Sequence, residues 1–182
     1  MKNIINLLLL FISINFTAQT KYITKTGNIT FEASVPSFEE VKASHNVVTA
    51  IINTDNGEFA ALVLVKGFRF KNALMEEHFN ENYAESDQYP KATFKGKITD
   101  FSIEKLKNNE NSFHANGELS FHGKTVKINK TALKIELNDD EIIITGDFQT
   151  NAGDFDIDIP KVVQNKIANN IVVSFNFNLV KK

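Results

Sequence analysis

The stretch Phe68–Gly96, FRFKNALMEEHFNENYAESDQYPKATFKG, decides the fold. It opens with alternating residues, passes through a short helical block, turns at Ser86-Asp87 and becomes extended again after Tyr89-Pro90. Asn72 suits a helix N-cap, and Leu74, Met75, His78 and Phe79 follow it at helical spacing, with Glu76 and Glu77 expected to face solvent near the positive end. The helix is short and must lean on a larger body. Pro90 biases the residue before it toward extended backbone, and Ala92-Thr93-Phe94 resumes the two-residue period of a strand.

On both sides of this stretch alternation dominates. Ile29, Phe31, Ala33 and Val35 share one strand face against Thr30, Glu32 and Ser34, until Pro36 stops the run. Ser37–Asn46 reads as a short helix or a loop. Val47–Ile52 is joined to Glu58–Lys66 through Asp55-Asn56-Gly57, whose residues tolerate positive φ. The second of these strands is apolar on both faces, Phe59, Ala61, Val63 and Val65 against Ala60, Leu62 and Leu64, so the helix Ala73–Tyr83 is expected to cover its outer side. Thr93–Phe101 alternates with Phe94, Gly96 and Ile98 inward, and Asn108–Ser112 is a polar loop tip. Further strands are expected over 113–121, 125–137, 141–150 and 171–180, with turn signals at Asn116-Gly117, His122-Gly123 and Asn138-Asp139-Asp140. Val163 and Ile167, one helical turn apart after Pro160, suit a short helix before the last strand. Asp154, Asp156 and Asp158 read as the solvent face of a strand. The total is an all-β, antiparallel, up-and-down barrel of about eight strands with one or two short covering helices.

The first residues differ in kind. Lys2 precedes an apolar run from Ile4 to Phe16, and Thr17-Ala18-Gln19 offers a small residue for cleavage. That run is 13 residues, short of the roughly 20 a membrane-spanning helix needs, so 1–18 is read as a signal peptide and 19–182 as one exported domain, periplasmic or secreted, with no stable membrane anchor. With no cysteine there is neither a lipidation site nor a disulfide scaffold. The net charge of −2, one unit more acidic once Lys2 is removed, argues against nucleic acid as a partner. Oligomeric state is left open, a homodimer included.

Two blocks carry a resemblance. The helix and turn LMEEHFNENYAES followed by YPKATFKGKI, and then Gly117–Val126, GELSFHGKTV, together resemble the YceI family over roughly residues 22–180. The resemblance implies a lipocalin-like barrel holding a long apolar ligand, an isoprenoid quinone or polyprenoid lipid, with no other cofactor. The composition agrees, since 16 phenylalanines against 3 tyrosines and no tryptophan give an aromatic surface almost without polar handles. Small inward residues, Ala33, Ala61 and Gly96, would leave volume along the barrel axis. Alternation and helix facing then select the expected ligand-binding set: Phe31, Ala33, Phe59, Ala61, Val63, Phe70, Leu74, Met75, Phe79, Phe94, Ile98, Leu119, Phe175 and Phe177. The polar head is expected at a rim near Tyr83 and Tyr89.

Other chemistries are weakly signalled. His45, His78, His114 and His122 lack zinc-site spacing, and the three aspartates lack the glycine turn and closing glutamate of a calcium loop. Asn28-Ile29-Thr30 and Asn129-Lys130-Thr131 match the glycosylation pattern. No nucleophile elbow or phosphate-cradling glycine loop is present. The chain is therefore read as a binding protein and not an enzyme. Two alternatives remain: a solid-barrel, stress-related interaction module, and an enzyme using His78 with Glu77 and Glu81.

Overall fold

The computed structural model describes residues 20–182, so the expected signal peptide lies outside the described residues. Nine strands form one antiparallel sheet: β1 (Lys21–Ser34), β2 (Lys42–Asn53), β3 (Glu58–Leu64), β4 (Arg69–Phe70), β5 (Lys91–Thr99), β6 (Ser112–Phe121), β7 (Lys124–Asn138), β8 (Glu141–Asn151) and β9 (Ile167–Lys181). Their order is β1-β9-β8-β7-β6-β5-β3-β2-β4, and β1 also pairs with β2. Eight strands thus close an up-and-down barrel, with the two-residue β4 appended to β2. Closure removes the free edges that would otherwise invite pairing with other chains.

The barrel is filled at one end. Tyr22, Ala50, Ile52, Ile98, Ile135, Ile142, Ile144 and Leu179 are buried near the strand ends that carry the β2–β3 and β7–β8 turns. A helix the sequence reading missed, α2 (Ile103–Lys107), reinforces this floor. Ser102 caps it by accepting from the Lys105 N–H at 3.2 Å, and Leu106 joins the buried cluster. At five residues the helix shows too little periodicity to be recognised from sequence.

Several local expectations change. β2 begins at Lys42, so 37–46 holds a turn and a strand start and no helix. Asn116-Gly117 is no turn: it lies within β6 where the register with β7 shifts, and the Asn116 side-chain carbonyl accepts from the Lys130 N–H at 2.9 Å. Residues 161–166 form turns, with Val163 N–H donating to Pro160 O and Lys166 N–H to Val163 O, and Ile167 already starts β9. Asp154 lies in a 3-10 turn (Ala152–Phe155) and Asp156 closes it at φ 56°, so the aspartates belong to a loop and not to a strand.

The helix of the opening stretch, α1 (Ala73–His78), forms as its cap predicts, with the Asn72 Oδ1 accepting from the Leu74 and Met75 N–H groups. It runs on as a π turn, Phe79–Tyr83. Its position differs from expectation. It packs beside β4 and carries residues of the barrel mouth, while Leu64 on the outer face of β3 remains 53% exposed. Among the described residues no helix is long and apolar enough to cross a membrane.

His45 stitches β2 to the segment following β3. The residue is 4% exposed, its Nε2–H donates to the Leu64 carbonyl at 3.1 Å, and its Nδ1 accepts from the Val47 N–H at 3.1 Å. Gly67 leaves room for the ring, since a Cβ there would lie 2.0 Å from Nε2. Burial pushes the His45 pKa below its ordinary value; the Leu64 carbonyl opposes this in part and the Arg69 charge adds to it. The unfolded chain therefore takes up a proton near pH 6.5 while the folded chain resists, so stability present above that pH is lost as pH falls toward the lowered folded value. His45→Gln keeps a donor and an acceptor without the titration. Its urea midpoint is expected to fall less than that of wild type between about pH 7.5 and about pH 5.5; equal losses would remove His45 as a contributor.

Candidate ligand-binding cavity

Above the floor the barrel is hollow. A cavity of about 430 Å³ opens toward the end carrying the 35–41 loop, α1 with its π turn, the β6–β7 turn and the 152–166 loop. Its lower boundary is built by phenylalanines lying over glycines. The Phe177 ring occupies the place of a Gly27 side chain, the Phe94 ring covers Gly96 and Gly117, and the Phe175 ring covers Gly146. Phe175 and Phe177 stack at 5.4 Å, and Phe59 lies 5.9 Å from Phe177 and 6.0 Å from Phe94. The volume that Gly96 was expected to leave open is therefore taken by Phe94.

The expected residues are mostly brought together. Phe31 and Ala33 from β1, Phe59, Ala61 and Val63 from β3, Phe94 from β5, Leu119 from β6, and Phe175 and Phe177 from β9 all line the cavity, joined by Phe70 from β4 and Leu74, Met75 and Phe79 from the helical segment. Ile98 is the exception. It faces inward as its alternation requires, but it lies fully buried in the floor, below the Phe94–Gly96 shelf.

Near the mouth the aromatic rings form a cluster. Phe31 lies 5.2 Å from Phe68, 5.7 Å from Phe70 and 5.3 Å from Phe79, and Phe79 is 5.2 Å from Phe70. Pairs at such spacings add about 0.5–1.5 kcal/mol each beyond simple burial. The π turn, closed by the Ala84 N–H on the Phe79 carbonyl, places both Phe79 and Tyr83 on the cavity side. The segment is fixed from below. Glu76, expected in solvent, instead turns back to Arg69 at 2.9 Å and to the Phe70 N–H at 3.1 Å, and the Asn72 amide donates to Glu39 of the 35–41 loop at 3.1 Å.

Just past the π turn, His122 ties three loops together. Its Nδ1 lies 2.9 Å from the Phe155 carbonyl, its Nε2 2.8 Å from a Glu85 carboxylate oxygen, and its ring 4.6 Å from that of Tyr89. Glu85, His122 and Asp156 all have positive φ, between 42° and 56°, in this one junction. Tyr89, expected at the rim, thus packs on His122, whereas Tyr83 does line the cavity. His78 also lines it, but Glu77 and Glu81 are exposed and lie outside the lining, which separates the carboxylates an acid–base site would require. Among the described residues no group of three metal-ligating side chains occurs.

Sequence reasoning also missed part of the lining. Phe148, Ile171 and Val173 continue alternations already visible in β8 and β9, and Phe155, Ile157 and Ile159 face the cavity from the loop between them. The alternation of this loop with its aspartates was a correct signal of facing in a segment that is not a strand. Polar groups in the walls are few, with Thr93, Thr131 and Thr150 among them, while Glu39 and Lys166 line the cavity as charged groups.

A closed eight-stranded antiparallel barrel with a packed floor, an apolar upper chamber and a helical segment at its mouth defines a lipocalin-like protein. The chain belongs to the YceI-like domain family, which it matches over residues 14–179. Solved structures agree on the fold. A polyisoprenoid binding domain from Saccharophagus degradans implicated in plant cell wall breakdown superimposes with a TM-score of 0.74 at 15% identity, covering 91% of this chain and 100% of that one. BcnA of Burkholderia cenocepacia gives 0.70 at 13% identity, with 85% and 96% covered, and the YceI protein of Campylobacter jejuni gives 0.57 at 13%, with 81% and 87% covered. No curated protein matches the chain.

Proposed function

We propose that this protein is an exported carrier or sequestering protein for a long-chain apolar lipid of the isoprenoid type, a polyprenoid or an isoprenoid quinone, held with its chain in the upper chamber and its head at the mouth. The observation that carries this reading is a hollow, almost wholly hydrocarbon cavity of about 430 Å³. A barrel of this strand number either fills its interior with side chains or holds one ligand, and here its two halves do one each. The hollow half does not suit a solid-barrel module. The Saccharophagus neighbour, described as polyisoprenoid binding, lends support through the shared fold. Binding would release water from apolar surface on both partners, so affinity should rise by about 0.8 kcal/mol for each added methylene until the chamber is full. The chemistry is retention of a ligand rather than turnover.

Native mass spectrometry of protein purified from the exported fraction, followed by organic extraction, tests this directly. The expected result is a bound mass, released on unfolding, that fragments as an isoprenoid chain, on a polypeptide beginning at Gln19. A ligand-free mass that also fails to take up added quinones or polyprenols would overturn the carrier reading. Protein retaining residues 1–18 in the exported fraction would overturn the cleavage site.

A further inference from the structure

The mouth of the cavity carries a charge imbalance that bears on the ligand's head. Its segments, residues 35–41, 65–90, 122–124 and 152–166, hold ten carboxylates against six lysine or arginine side chains. Three of those cations are already spent in ion pairs, Lys66 on Asp87, Arg69 on Glu76 and Lys124 on Asp156. What remains is Lys71, Lys161 and Lys166 against seven carboxylates, counting Glu85 on His122. Inside the lining, Lys166 is the cation, and Glu39 in the same lining balances it. The first N–H groups of α1 are already taken by Asn72 and are not free for an anion. The polar wall groups Thr93, Thr131 and Thr150 are uncharged.

From this arrangement we infer that the chamber selects lipids with an uncharged polar head, such as an alcohol or a quinone ring, and discriminates against the phosphate or diphosphate esters of the same chains. The inference rests on the carrier reading above and narrows it. A diphosphate at the mouth would exchange full hydration for one lysine and a surplus of carboxylates, a repulsion that acts over a Debye length of about 10 Å at 0.1 M salt. A neutral head has no such cost, and the Thr93 hydroxyl and the Tyr83 phenol supply hydrogen-bonding partners for it.

Equilibrium dialysis of the mature protein with geranylgeraniol and geranylgeranyl diphosphate, which share one hydrocarbon chain, tests the selection. The alcohol is expected to bind at least about tenfold more tightly at low salt, with the gap narrowing as salt screens the mouth. A variant carrying Glu40→Lys, Glu77→Lys and Glu81→Lys, all three exposed and outside the lining, should bind the diphosphate more tightly and the alcohol unchanged. Diphosphate binding as tight as the alcohol's, or unmoved by the triple substitution, would overturn the inference and leave the carrier reading standing. Failure of both ligands to bind a protein shown to be ligand-free would overturn the carrier reading and this inference with it.

Discussion

Ala61→Trp is expected to abolish uptake of long-chain ligands while leaving the barrel folded. Ala61 lies on β3 between Ala50 of β2 and Phe94 of β5, and its methyl group faces the chamber just above the packed floor. An indole built there projects into empty volume and not into close-packed neighbours, so the overpacking that usually penalises small-to-large changes does not apply in full. The ligand bears the cost. Excluding four carbons of an apolar chain forfeits about 3 kcal/mol, which is more than a hundredfold in affinity. The matched measurements are ligand retention through gel filtration and the thermal midpoint. Retention should vanish, and the midpoint should hold or rise, because an apolar void has been filled. Unimpaired binding by a folded variant would mean that the chain occupies some other surface. Ala33→Trp tests the same chamber from β1 and guards against a local failure at β3.

The strand pattern was legible because every strand of a closed antiparallel barrel has one face inward, so a period of two survives along nearly the whole chain. Phe31 with Ala33, Phe59 with Ala61 and Val63, and Phe175 with Phe177 are therefore placed on the cavity side by alternation alone. Alternation assigns a face and says nothing about height. Ile98 shares its face with Phe94, yet one lies in solid floor and the other borders open space, because the dividing plane is set by which rings fold down over which glycines. That choice depends on cross-strand register, in which Gly96 meets Gly117 and Gly146 meets Phe175. Register is a relation between distant segments, and neither segment displays it. The mouth was least legible for a related reason. His122 joins Glu85 to Phe155 across 37 and 33 residues of sequence, and the only local sign of that junction was a turn ending in glycine. The covering helix was correctly found from its cap, but its place was inferred from an apolar outer face on β3, and the structure leaves Leu64 and neighbouring Val47 uncovered at 53% and 69% exposure.

Gly96→Val should be the most destabilising single change in the barrel wall, costing about 3 kcal/mol or more. Gly96 and Gly117 face each other directly across β5 and β6. A Cβ on Gly96 would lie 2.3 Å from the Asn116 carbonyl oxygen and 2.8 Å from the Gly117 Cα, and one on Gly117 would lie 2.5 Å from the Lys95 carbonyl oxygen. Those obstacles are backbone atoms held by the ladder, so relief requires the two strands to part, with loss of their hydrogen bonds. The Phe94 ring adds a second obstacle, its Cζ 2.8 Å and 2.5 Å from the two Cβ positions. The two contributions separate experimentally. Urea midpoints for Gly96→Ala in the wild-type and Phe94→Leu backgrounds should show partial rescue, because the shorter side chain clears the shelf while the backbone clash persists. Full rescue would mean that the strands tolerate a side chain and that the ring alone demands glycine. No rescue would assign the whole cost to the backbone. In any Gly96→Ala protein that remains folded, the displaced Phe94 ring has open space only upward, into the chamber. Ligand uptake should then weaken along with stability, which couples the floor of the barrel to the capacity of the cavity above it.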